Sequence, residues 1–273
     1  MIIGISGCSD GSVSAFDTGS CGKDNAAIID INVAQLVAKE YLPKYYPGDW
    51  DYFSHLTYYD LDGTPAVYAF IFKKPDSDIK NLQQLEKAMS SARFDRDNLK
   101  KNMAAAEQAQ DESAANKSSV LKAKLRALNG RIYQWNSFAT VITGAKETSE
   151  LVIRCYTGLP KAYVKKADLK SKLETEYSDK NLKLGRTIYL DPYDIRYEVK
   201  PATGLSEPSY LMDLKSMTLK EKTKTTEKIK KAAEARKGKI SRMPKEKAKQ
   251  HEEGLKKRKE INKLKWQKYR GKK

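Results

Sequence analysis

The chain has 273 residues, enough for one or two domains, with 40% hydrophobic and 32% charged residues, poorer in apolar side chains than an average globular protein. Its formal net charge of +17 is concentrated at one end. Residues 215–273 carry 24 Lys and Arg against 7 Asp and Glu, whereas the preceding 214 carry 28 of each sign. Three cysteines and two histidines without zinc-ligand spacing argue against a structural metal site, and no apolar run reaches the ~20 residues of a membrane helix.

The first segment, 1–25, reads as a flexible arm or a tether. Ile5-Ser6-Gly7-Cys8 resembles a bacterial lipobox, and the polar Ser9-Asp10-Gly11-Ser12 follows it like the tether of a lipoprotein. That resemblance implies lipidation of Cys8 and a place in a bacterial cell envelope, or secretion. Seven residues do not supply a charged region plus an apolar region of about 7–15 residues. Either the start lies further upstream, or Met1–Ile5 is a short apolar beginning of a cytoplasmic protein. A Cys21–Cys155 disulfide is compatible with an oxidising compartment, but spacing does not establish it.

Residues 26–200 read as an α+β body. Val33, Leu36, Val37 and Tyr41 lie at helical spacing, with Asp30 or Asn32 as the cap and Pro43 and Pro47-Gly48 as the stop. An aromatic loop, Tyr45 to Phe53, leads to a hairpin over 56–72 whose Asp62-Gly63 pair predicts a two-residue turn. Trp50, Tyr52 and Phe53 either pack over one end of the sheet or form a protein-contact surface, since exposed aromatics serve as interface anchors. Val67, Tyr68, Phe70, Ile71 and Phe72 run with almost no polar interruption, as in a strand covered on both faces. Residues 75–130 then turn Ala-, Lys- and Glu-rich. Their stripes Ile79/Leu82/Leu85/Met89 and Leu121/Leu125/Leu128, with a break at 111–119, predict an inserted helical hairpin resembling a coiled-coil arm.

Strands are expected again over 131–143 and 150–156, a short helix over 167–177, and a last strand pair over 181–190 and 195–199, joined at Asp191-Pro192-Tyr193-Asp194. Cys155 reads as a small buried hydrophobe rather than a nucleophile. Residues 201–273 read as a linker and a Lys-rich tail, helical or disordered. In its last part Leu255, Ile261, Leu264 and Trp266 are set among cations. Lys256, Lys257, Arg258, Lys259, Lys263, Lys265 and Trp266 are therefore candidate contacts for nucleic-acid phosphates or an anionic surface. The plainer reading is a solvated tail that attracts polyanions without specificity.

The helix over 33–42, the Asp60-Leu61-Asp62-Gly63 turn with Val67-Tyr68-Ala69-Phe70, and the pair 138–145 and 151–156 together resemble the propeptide of streptopain-type cysteine proteases and the wider PepSY and FTP propeptide-like domains. The resemblance implies a small antiparallel sheet with a helix packed on one face. It further implies a partner, a peptidase whose cleft is covered. The long insertion departs from that pattern, and no protease domain follows, so inhibition would act in trans.

Catalysis is the least favoured class. No cysteine lies in a recognisable Cys/His context and no Gly-rich phosphate loop is present, so no cofactor is expected. Asp60, Asp62, Asp191 and Asp194 sit where Asp usually serves turn geometry. The expected function is that of a non-catalytic secreted or envelope protein whose body binds another protein, a peptidase in the implied case. The alternative is a polyanion-binding protein that acts through its basic end.

Overall fold

The computed structural model describes residues 26–108, 114–202 and 209–272. Helix α1 (Ile31–Tyr45) is capped by Asp30, whose Oδ1 accepts the Asn32 N–H at 2.8 Å. Its buried face is Ala34, Val37, Ala38 and Leu42. The two alanines let the helix lie close to the sheet. Leu36 points outward and is 43% exposed. The helix passes through Pro43 and ends at Tyr45, just before Pro47-Gly48. A proline in the last turn forfeits only one ladder bond, and the Tyr46 N–H still reaches the Leu42 carbonyl at 2.9 Å.

Four antiparallel strands follow as a meander, β1 (Asp51–Tyr59), β2 (Pro65–Lys73), β3 (Phe138–Gly144) and β4 (Val152–Thr157). Helices α2 (Leu82–Gln108) and α3 (Ala114–Tyr133) are inserted between β2 and β3, as expected. After β4 come α4 (Lys161–Glu176) and a second meander, β5 (Leu182–Asp191), β6 (Asp194–Pro201), β7 (Tyr210–Asp213) and β8 (Leu219–Glu221). All eight strands join one sheet in the order β4-β3-β2-β1-β5-β6-β7-β8. The halves meet where β1 and β5 pair in parallel, Tyr58 opposite Thr187 and Tyr59 opposite Ile188.

The chain thus passes twice through one pattern, a helix and then a four-stranded meander. Helix α1 covers the face bearing Tyr68, Phe70, Phe72 and Val141. Helix α4 covers the opposite face, against Tyr58, Val67, Ala69, Tyr197 and Val199. The helical hairpin sits on the α4 side, its base held by Leu85, Met89 and Ala92 against Ile71 and Phe138. Strand β2 is therefore buried on both faces, which explains its nearly unbroken apolar run.

Several boundaries differ from expectation. The aromatic loop is partly strand, since Asp51, Tyr52 and Phe53 open β1. The β1–β2 connection is a five-residue loop, 60–64, rather than a two-residue turn. The Gly63 N–H reaches the Asp60 carbonyl at 3.0 Å, and Asp62 Oδ1 accepts both the Thr64 N–H and its hydroxyl at 2.9 Å. That side-chain turn lengthens the loop, while Gly63 still takes a positive φ of 96°. The strand expected from Arg131 begins only at Phe138, because α3 continues to Tyr133 and buries Ile132 from its last turn. The helix expected over 167–177 starts at Lys161, where Ala162 and Val164 already face the core. Beyond residue 201, where only linker and tail were expected, β7 and β8 extend the sheet and Leu211 and Met212 are fully buried. The arm over 1–25, with Cys8 and Cys21, lies outside the described residues.

Candidate polyanion-binding surface

The basic end folds as two helices, α5 (Lys222–Ser241) and α6 (Lys245–Arg270), which together hold 19 Lys and Arg against 6 Glu. Helix α5 starts directly from β8 and packs on β7 and β8, whereas α6 returns to α1. The first turn of α5 is pinned by charge. Lys222 Nζ lies 2.7 Å from Glu198, a carboxylate only 2% exposed, which also faces Arg186 at 3.0 Å and Lys200 at 3.4 Å. Burial alone would raise the Glu198 carboxyl, but Lys222, Arg186 and Lys200 hold it below the usual glutamate value.

The docking of α6 follows a stripe at 4-3-4-3 spacing, Leu255, Lys259, Asn262, Trp266 and Tyr269, turned away from solvent. Trp266 is completely buried among α1 and sheet residues, and its Nε1–H donates to the Ser149 carbonyl at 2.9 Å. The side-chain amide of Asn262 donates to the Thr148 carbonyl at 3.1 Å. The β3–β4 loop would otherwise leave these two carbonyls without a protein donor, and α6 satisfies them. Ion pairs Arg270–Glu147 at 3.5 Å and Lys272–Glu40 at 3.0 Å close the end of the contact. The Lys272 ammonium and the Tyr269 hydroxyl hold the Glu40 carboxyl low, while burial and Glu40 push the Tyr269 hydroxyl up.

This geometry sorts the residues singled out in the sequence. Lys256, Lys257, Arg258 and Lys265 are exposed, and Lys263 is half-buried with its ammonium 3.4 Å from Glu260. Lys259 belongs to the inward stripe. Trp266 is withdrawn as a surface contact, because its indole is spent on the core and on Ser149. The two aliphatics read beside it point the other way, Ile261 at 41% and Leu264 at 63% exposure. A 4-3-4-3 count that admitted Asn262 and Tyr269 would have found the inward stripe.

Trp50, Tyr52 and Phe53 do not share one surface. Trp50 and Tyr52 pack on the α1 side, with Trp50 Nε1–H on the Tyr46 carbonyl at 3.0 Å and the Tyr52 hydroxyl 2.7 Å from His55 Nδ1. Phe53 meets Phe138 edge-on from the opposite face. All three are half-buried, and alternation along β1 separates them. Cys155 is half-buried in β4 with its thiol pushed up to about 12 by burial.

A second charged cluster was not visible in the sequence. Asp168 on α4 faces Arg93 at 3.2 Å, Lys165 at 3.2 Å and Arg96 at 3.9 Å, which braces α2 against α4. Its partners come from as far as 75 residues away in the chain, so no local pattern announces it. Among the described residues no group of three or more His, Cys, Asp or Glu is placed to hold a metal ion, and no helix is long and apolar enough to cross a membrane. No protein-family model, curated protein or solved structure matches the chain.

Proposed function

We propose that this protein is a non-catalytic polyanion-binding protein in which the sheet serves as a platform and α5 and α6 carry the contact surface. The reading rests on one observation. The charge excess of the chain lies in residues 215–273, whose helix α5 is anchored at Lys222 and whose helix α6 is docked on the body through Trp266, so the exposed lysines of its last turns are displayed in a fixed arrangement. Of the 19 cations on the two helices, 16 are Lys and three are Arg. Lysine supplies a strongly hydrated point charge without the bidentate fork of arginine, which suits phosphate groups presented as a surface or a backbone rather than one shaped site.

The test is a binding titration of the full chain against duplex DNA and against phosphatidylglycerol vesicles at increasing salt. Binding that weakens steeply with salt is expected, since each phosphate contact with a duplex contributes roughly −0.9 to the slope of log affinity against log salt. Absent binding, or binding indifferent to salt, refutes the reading.

A second reading, inhibition of a peptidase in trans, draws support from α1 lying across one face of the β1–β4 meander, the arrangement that the propeptide resemblance implies. Its test is a titration against secreted cysteine and metallo-peptidases. Stoichiometric inhibition of one of them is the expected result, and no inhibition across the panel removes this reading.

A further inference from the structure

Resting on the reading of α5 and α6 as a polyanion-binding surface, we propose that the ligand is the headgroup layer of an anionic lipid bilayer, into whose boundary α6 inserts Ile261 and Leu264. At 3.6 residues per turn these two side chains lie roughly 120–180° around the helix from the buried stripe. They are 41% and 63% exposed, and both belong to the end of α6 that is held rigidly by Trp266. The row continues one turn in each direction as Lys257 and Lys268, with Lys265 beside Leu264, giving the spacing i, i+4, i+7, i+11.

The charges around this row favour an anionic, partly apolar partner. Lys257, Lys265 and Lys268 are exposed and make no ion pair among the described residues. Two cations off the row are instead engaged, Lys256 with Glu252 at 2.9 Å and Lys263 with Glu260 at 3.4 Å. The acidic residues nearest the row are also paired, Glu260 as above and Glu253 with Lys249 at 3.9 Å. A short aliphatic pair framed by free lysines is the pattern of a helix lying in a membrane interface, where the long lysine stems reach up to the phosphates while the apolar tips sink below them.

Nucleic acid fits the same row less well. Sequence-tolerant binding of single strands uses exposed aromatic rings as stacking platforms. The two large rings of α6, Trp266 and Tyr269, are both buried, and the exposed His251 lies ten residues before Ile261, away from the row. A duplex backbone offers Ile261 and Leu264 nothing in exchange for their exposure.

The experiment compares the full chain with the double variant Ile261→Ser/Leu264→Ser in co-sedimentation with phosphatidylglycerol/phosphatidylcholine vesicles and in titration with duplex DNA. Both side chains are exposed, so the variant keeps the wild-type circular dichroism spectrum. The proposal expects vesicle affinity to fall roughly ten-fold, from the apolar area no longer buried, with duplex affinity unchanged. Equal vesicle binding by both proteins, or tighter binding to duplex DNA than to vesicles, overturns the lipid proposal and leaves the polyanion reading standing. Failure of the wild-type chain to bind either probe overturns both.

Discussion

Replacing Trp266 with alanine tests whether the basic end is held to the body as described. The indole is completely buried and its N–H is bonded to the Ser149 carbonyl at 2.9 Å. Large aromatic-to-alanine changes in a core cost about 3–5 kcal/mol, and leaving a carbonyl unpaired adds about 1–3 kcal/mol where water does not refill the site. A loss of about 4 kcal/mol is expected. It falls first on the docking of α6, whose hold on the body runs through its last turns to α1, the 147–149 loop and the core residues around Trp266, whereas β2 and β3 keep strand neighbours on both sides. Amide hydrogen exchange, read by mass spectrometry on peptides covering α6, is the suitable assay. Exchange over the second half of α6 should accelerate by roughly a hundred-fold or more, as expected for a local opening made easier by ~3 kcal/mol or above. Amides of β2 and β3 should change far less. Leu264→Ala, on the exposed side of the same helix, should cost less than about 0.5 kcal/mol and leave exchange as in the wild type. Unchanged exchange in Trp266→Ala, or equal acceleration in both variants, would refute the docking argument.

Glu198 has a folded pKa held below its ordinary value, so its contribution to stability is fully present above the unfolded glutamate value of about 4.3 and is lost as pH falls through the lower folded value. In urea melts Glu198→Gln should therefore be destabilised at pH 7, and its difference from the wild type should shrink as the pH is lowered past that window. A difference that is constant with pH contradicts the ion-pair account. Cys155, with its thiol pushed up to about 12, should resist alkylation by iodoacetamide at pH 8 in the native protein and react after unfolding. Peptide mapping distinguishes it from Cys8 and Cys21, and rapid native modification would contradict its burial.

Much of the scaffold was legible because it depends on local signals. Asp30 or Asn32 before an apolar stripe marked the start of α1, where Asp30 is the cap, the unbroken run 67–72 marked a strand covered on both faces, and Asp191-Pro192-Tyr193-Asp194 marked the β5–β6 turn. In that turn Asp191 Oδ1 accepts the N–H groups of Tyr193 and Asp194 at 2.7 and 2.8 Å. What escaped depends on partners distant in sequence. Strand β8 spans only three residues and β7 four, so neither displays enough alternation to be read alone, and both are defined by pairing outward from β6. Tyr133 and Ile132 look like strand residues by composition, but the end of α3 uses them to cover Phe138.

The candidate site was half legible. Its cations stand out in any count of charge, but the division of α6 into a buried and an exposed face does not. The inward stripe includes Lys259 and Asn262, while the aliphatics Ile261 and Leu264 face out. Hydrophobicity alone therefore does not separate the two sides of the helix, since Leu255, Trp266 and Tyr269 turn inward. The decisive partners, the Thr148 and Ser149 carbonyls, lie more than a hundred residues earlier.

Whether α6 carries the polyanion contact is decided by the affinity of the triple variant Lys257→Gln/Lys265→Gln/Lys268→Gln for phosphatidylglycerol vesicles and for duplex DNA at low salt. These exposed side chains make no ion pair among the described residues, so the fold and its melting temperature should be kept. Each lysine near an anionic surface contributes roughly 1 kcal/mol, so binding to the preferred probe should weaken by roughly a hundred-fold together with a shallower salt dependence. Wild-type affinity in the triple variant would contradict the assignment of α6 as the polyanion-binding surface.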